Sequence, residues 1–261
     1  MDIFAYEFMR NAFAASTVVA VVAGAIGYFL VLRGETFAGH ALSHVGFAGA
    51  TGAVLVGLSP FLGLTAFTML AGLGISIVGQ RANRDVAIGI VLTLSLGLGL
   101  LFLHFYTAYA GMATNLLFGN VLGISQATVW LLVGMAVVTL AGLAVISRPL
   151  LFASLQPELA EARGVPMRLL SALFMLIVAL ATAQAIQIVG VLLVFALMVA
   201  PAAAALRLTR RFVTGFALSV GLAVLIAWLS LLLAYITDWP TSFWITGLGG
   251  LAYALSHLRR T

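Results

Sequence analysis

Long apolar runs separated by short polar joints set the pattern of this chain. Ala12–Leu32, Phe37–Leu58, Pro60–Gly79 and Val86–Phe105 follow one another closely, the last two divided by QRANRD at residues 80–85. Ala127–Ile146, Leu169–Ile186, Gly190–Leu206, Phe212–Ile236 and Phe243–Leu255 continue the series. Most of these runs approach the roughly 20 residues that a helix needs to cross about 30 Å of hydrocarbon. No stretch alternates apolar and polar positions as a barrel strand does. The pattern predicts an all-α fold: a polytopic integral membrane helical bundle of about eight or nine transmembrane helices, in one domain over residues 1–261. No internal repeat, low-complexity tract or soluble domain interrupts it. The first run is too long for the apolar region of a signal peptide and reads as retained.

Two stretches depart from the pattern. Between Tyr106 and Gln126 the sequence is too interrupted for a plain span and too apolar for an ordinary loop, which predicts an interfacial or re-entrant segment. After Arg148-Pro149 comes the longest amphipathic break, residues 151–168, with Glu158 and Glu161 near its start and Gly164 before Pro166 as a stop. That is the signature of a short helix, either a connector on the membrane surface or a docking helix for a partner.

Composition turns the pattern into an assignment. The chain is 64% hydrophobic and 7% charged, with a mean hydropathy of +1.22, far from a soluble domain. Arginine placement then orients it, because short arginine-rich loops stay cytoplasmic. With an external amino terminus, Arg33, Arg81, Arg84, Arg148, Arg163, Arg168, Arg207, Arg210, Arg211, Arg259 and Arg260 all fall inside and only Arg10 lies outside. The formal charge of +5 is thus a topology signal with a basic face toward anionic lipid, and no nucleic-acid partner is expected. The sequence has no cysteine, which removes thiolate metal sites and disulfides.

The candidate chemistry lies in GHALSHVGFAGATG, residues 39–52. Positions four apart share a helical face, so His40 and His44 stack, continued by Ala48 and Thr51. Gly39, Ser43, Gly46 and Ala50 form a small-residue stripe that lets another helix approach closely in lipid. Ionisable side chains in a bilayer face a cavity or the bundle interior, and neutral imidazole is a common divalent-metal ligand. Two roles stay open: ligands on a metal path, or rings bonded to neighbouring carbonyls that brace the bundle. Two ligands suit passage, since an ion in a closed four-ligand cage leaves slowly.

HALSH has the histidine spacing of the zinc-protease HExxH motif, but Ala41 stands where the general base would be, so no catalytic residue is assigned. An ion-coupled secondary metal carrier would need an intramembrane carboxylate, and all seven acids fall at predicted loops or span ends. The chain has no GxxxxGK[ST] loop for nucleotide, hence no engine of its own. Among other polar residues, His104 lies near the outer end of the fourth run, where it could receive metal, and His257 belongs to the cytoplasmic end. Gln184 and Gln187 suit carbonyl bonding near the outer end of the sixth run. Trp239 and Trp244 read as interfacial anchors. Pro201 would free a carbonyl and bend its helix, as a hinge or a static kink.

GHALSHVGFAG, LQPELAEARGVP, VGVLLVFALMVAPAAAALR and TDWPTS, taken together and in this order, resemble the membrane permease of bacterial zinc/manganese ABC importers. The resemblance runs from about Ala12 to the carboxyl end. It implies a homodimer in the bacterial inner membrane, each copy docked on a cytoplasmic ABC ATPase and supplied by an extracytoplasmic metal-binding protein. On the resemblance, Pro157, Glu158, Ala160, Gly164 and Val165 belong to the coupling helix and His40 and His44 face the metal pathway; Asp238, read from its place beside Trp239 in an outer turn, is a candidate outer-side contact. No cofactor is held permanently; the metal is cargo. Three departures stand out: His40 replaces the carboxylate of the GDALSHA pattern, Gln156 replaces an Asp before Pro-Glu, and Pro240-Thr241-Ser242 replaces Pro-Ser-Gly. Imidazole in place of carboxylate shifts preference from harder ions such as manganese toward zinc, so zinc is the expected ion, with manganese or iron as competitors.

Overall fold

The computed structural model describes residues 5–78, 84–105, 116–191 and 193–258. Its helices are α1 (Glu7–Leu32), α2 (Thr36–Leu55), α3 (Pro60–Val78), α4 (Arg84–His104), α5 (Gln126–Leu155), α6 (Pro157–Ala162), α7 (Met167–Val189), α8 (Val194–Leu208), α9 (Phe212–Thr237) and α10 (Thr241–Ser256). No strand occurs among the described residues. Each predicted apolar run lies within a helix of its own apart from the ends. Among the described residues six helices are long and apolar enough to cross a membrane, and α8 is a shorter apolar one. The fold is the expected all-α membrane bundle.

Position in the bundle follows composition. Buried residues make up 72% of the most apolar window of α1 and 67% of that of α7, against 22% for α4 and 28% for α3 and α5. The outer helices therefore turn their leucines, valines and isoleucines to lipid, while α1 and α7 form the centre. α2 packs on α3 and α4 at one flank, α8, α9 and α10 pack together at the other, and α1 touches α5, α7, α8 and α9. Small residues allow the closest approaches, and those to backbone fall outside the stripe read from the sequence, whose Gly39 and Gly46 meet side chains. A Cβ on Gly49 would strike the backbone of Gly63, and one on Gly27 the Met198 carbonyl. Gly39, Ser43, Gly46 and Ala50 are all buried.

Loops gather at two ends, inner and outer in the orientation that arginine placement predicts. Arg33 reaches Ser154 and Ser171 at one end. At the other, Asn11 donates to the Ile124 carbonyl, Val191 N–H to Leu116 and the Ser242 hydroxyl to Phe118. The predicted re-entrant stretch is described only from residue 116 onward; there it holds a 3₁₀ turn, Val121–Gly123, tied to the outer end of the bundle.

Two boundaries differ from expectation. Arg148-Pro149 does not end a helix: α5 runs unbroken through Pro149 to Leu155. A proline removes one N–H and crowds one carbonyl, here that of Val145, a residue 81% exposed, where nothing packed opposes the adjustment. Residues 151–155 thus belong to α5, and the predicted amphipathic break narrows to α6 and its turn. Second, the run predicted from Gly190 is helical only from Val194; Gly190 adopts φ +79° and ends α7. Pro201 lies buried inside a continuous α8, as its place within an apolar run foresees, and the break between α7 and α8 falls upstream of it at Gly190.

Candidate metal site

α1 ends in a Schellman turn. Glu35 N–H reaches the Leu30 carbonyl and Gly34 N–H that of Val31, with Gly34 at φ +67°. The chain reverses there and starts α2, whose interior turns carry His40 and His44. Both are half-buried, while the residues between and beside them, Ala41, Leu42, Ser43 and Val45, are buried.

The imidazoles meet edge to face, ring centroids 4.8 Å apart, and the Phe195 ring of α8 stands edge-on to His40 at 5.2 Å. Metal–nitrogen bonds of roughly 2.0–2.1 Å place two imidazoles on one ion with centroids about 5 Å apart, so the pair can share a cation with little rearrangement. Nδ1 of His40 is buried with no hydrogen-bond partner, and none of the other three ring nitrogens makes a hydrogen bond among the described residues. The bracing role pictured from sequence, with both rings bonded to carbonyls, is not what the structure builds. The Ser43 hydroxyl takes the His40 carbonyl instead, at 2.7 Å.

These details set the chemistry. A ligand can reach His40 only at Nε2, because Nδ1 is closed off. Ligating histidines generally donate their other N–H to an acceptor, which raises basicity and fixes the ring; His40 has none. No group of three or more His, Cys, Asp or Glu that could hold a metal occurs among the described residues. The chain on its own offers two imidazoles without supporting acceptors, which makes a weak, open site suited to transit.

The remaining candidates lie elsewhere. His104 closes α4, exposed, with its ring against Phe105. Asp238 is exposed and caps α9 in the left-handed region at φ +60°, a conformation Asp tolerates better than most residues. The Trp239 and Trp244 rings stack at 5.7 Å beside it. Gln184 is buried and donates to the Thr139 hydroxyl at 2.8 Å. Two cavities of about 200 and 280 Å³ lie at the outer end, sharing Asn120 in their walls, and neither includes a histidine.

α6 projects Pro157, Glu158, Leu159 and Glu161 outward and anchors itself through Ala160, fully buried. Val165 N–H to Ala160 and Gly164 N–H to Glu161, with Gly164 at φ +78°, close a second Schellman turn. The stop foreseen at Gly164 is this turn.

Sequence reasoning passed over two residues. Phe195 was one aromatic in an aliphatic run, and nothing local marks its contact with His40. Arg33 was read only for orientation, yet its guanidinium bonds Glu35 at 3.0 and 3.1 Å and lies over the Phe174 ring at 5.4 Å. A charge pair flanking a single glycine between two spans was the available signal. Glu35, the acid nearest the histidines in sequence, is thereby engaged by Arg33.

Residues 5–259 match the model of the ABC 3 transport family. The manganese transport system membrane protein MntC of Halalkalibacterium halodurans is 34% identical over 215 residues, covering 80% of this chain and 73% of the relative. The manganese import system permease protein ScaB of Streptococcus parasanguinis is 31% identical over 232 residues, covering 88% and 82%. Among solved structures, PsaBC from Streptococcus pneumoniae in complex with Fab superposes with a TM-score of 0.87 at 28% identity, over 97% of this chain and 92% of that one.

Proposed function

This chain belongs to the ABC 3 transport family, and from that premise we propose that it carries a divalent transition-metal ion through the membrane past His40 and His44. It is a multi-pass protein of the cytoplasmic membrane and a transport subunit, not an enzyme. The observation that supports the route is the pair of imidazoles 4.8 Å apart with ring nitrogens free of internal hydrogen bonds, in an otherwise apolar helix. A second copy of the chain would cover the half-exposed histidine face and complete the path. ATP binding to cytoplasmic ATPase subunits would move α6, opening the path toward one side at a time, with metal delivered by a binding protein on the outer face. The direction, import, follows the relatives' names.

Zinc is favoured by the ligand set, because two imidazoles without a carboxylate suit it better than manganese. The names of MntC and ScaB make manganese the competing cargo. Replacing both histidines (His40→Ala with His44→Ala) should abolish ATP-driven metal uptake by the reconstituted complex while leaving it assembled. Full uptake would remove the pair from the route. In the same assay, uptake of zinc undiminished by excess manganese supports the ligand argument, and the reverse result would overturn it.

The exposed face of α6 supports a docking role for Pro157 and Glu158, with Glu158 presented to the partner, while buried Ala160 anchors the docking helix and Gly164 and Val165 close the turn that ends it. Glu158→Arg should cut the amount of ATPase that co-purifies with the chain. Unchanged recovery would take α6 out of the interface.

A further inference from the structure

We infer that Arg33 is a positioning residue that ties both flanks of α6 to the start of α2, so that movement at α6 reaches the histidines. This rests on the reading of α6 as the ATPase-docking helix. The guanidinium is almost enclosed, with 9% of the Arg33 side chain and 4% of that of Glu35 exposed. Besides lying over the Phe174 ring, it makes two kinds of hydrogen bond. Nε and Nη2 donate to Glu35 Oε1 at 3.1 and 3.0 Å, ordinary charge-assisted distances. Nη1 reaches the Ser154 hydroxyl at 3.5 Å and Nη2 the Ser171 hydroxyl at 3.4 Å, longer than most such bonds.

The placement of these partners gives the inference its content. Ser154 is in the last turn of α5, two residues before Gln156, where α6 begins. Ser171 is in the second turn of α7, just after the α6 turn ends. Glu35 precedes α2, and its backbone carbonyl accepts from Ala38 and Gly39 N–H, one residue short of His40. One side chain therefore joins the segment before α6, the segment after it and the first turn of the histidine helix.

The short bonds and the long ones divide the work. An enclosed ion pair is not readily broken, because either partner alone would be an uncompensated charge, so Arg33 and Glu35 move together. The hydroxyl contacts are neutral on one side and already stretched, so they are the ones that can be exchanged. Displacing α6 shifts Ser154 and Ser171 against the guanidinium, and the Arg33–Glu35 unit passes the shift to α2. A helix carrying a half-open imidazole pair needs only a small turn to change which side the rings face.

The test uses the complete complex in proteoliposomes, with Mn²⁺ and Zn²⁺ as probes, and reads metal uptake per ATP hydrolysed. Arg33→Ala risks misfolding, so the primary variant is Ser154→Ala with Ser171→Ala, which leaves the ion pair intact. Uptake per ATP should fall about tenfold, within the range of site-to-site coupling, with hydrolysis near wild type. Ser154→Thr with Ser171→Thr, which restores the hydroxyls, should recover it. Unchanged uptake per ATP in the alanine variant, even if both rates drop together, overturns the inference, as does failure of the threonine variant to recover. A wild-type complex showing ATPase activity but no uptake of either metal would bring down the transport reading first, and this inference with it.

Discussion

At its outer end the bundle contains a backbone-to-backbone junction, and at its inner end a side-chain-to-side-chain one. Outside, Val191 N–H bonds the Leu116 carbonyl at 2.9 Å. Gly119 and Gly190, both at φ +79°, pass so close that a Cβ on Gly190 would strike Gly119 N and the Leu117 carbonyl. Inside, the connection between α2 and the segments flanking α6 runs through one guanidinium with two long hydroxyl contacts. A backbone junction with no room for a methyl group is either made or lost. A side-chain junction can lengthen, rotate and exchange partners. The contrast teaches that the outer end of a single subunit should behave as a fixed hinge and the inner end as the place where it yields.

The sharpest way to break this contrast is at Gly190. An alanine there must hold a positive φ and find space where backbone atoms already sit, so Gly190→Ala should destabilise the protein by about 3 kcal/mol or more, read as a lower Tm in detergent. A Tm at the wild-type value would mean that the outer junction is loose. The milder comparison is Gly164, also at positive φ (+78°) but with no atom within 4 Å of the place a methyl group would take. Gly164→Ala should cost roughly 1 kcal/mol, the conformational penalty alone, and preserve ATPase recovery. A loss as large as that at Gly190 would show that the turn after α6 is as tightly held as the outer junction.

Much of this was legible in the sequence for physical reasons. Lipid leaves a helix little choice, since every backbone group must be paired within the segment, so apolar run length located the helices from Ala12 to Leu255 with small errors at the ends. His40 and His44 were found because helical spacing alone stacks them. The misses share a cause. Arg33 meets Ser154 and Ser171 across separations of 121 and 138 residues, and no local pattern announces such a partner. Gly190 looked like one more glycine in an apolar run, although its neighbour from residue 119 decides where α7 stops. Pro149 looked like a terminator because a lone proline usually is one; the exposed carbonyl it disturbs is visible only in three dimensions.

The unbroken passage through Pro149 also sets the reach of the molecule. Thirty residues of α5 make a rod of about 45 Å, against a hydrocarbon layer of about 30 Å, which leaves an upright rod about 15 Å to spare. On the docking reading of α6, that excess is the stem that would keep a partner off the lipid, and modest thinning or thickening of the bilayer should leave their engagement unchanged.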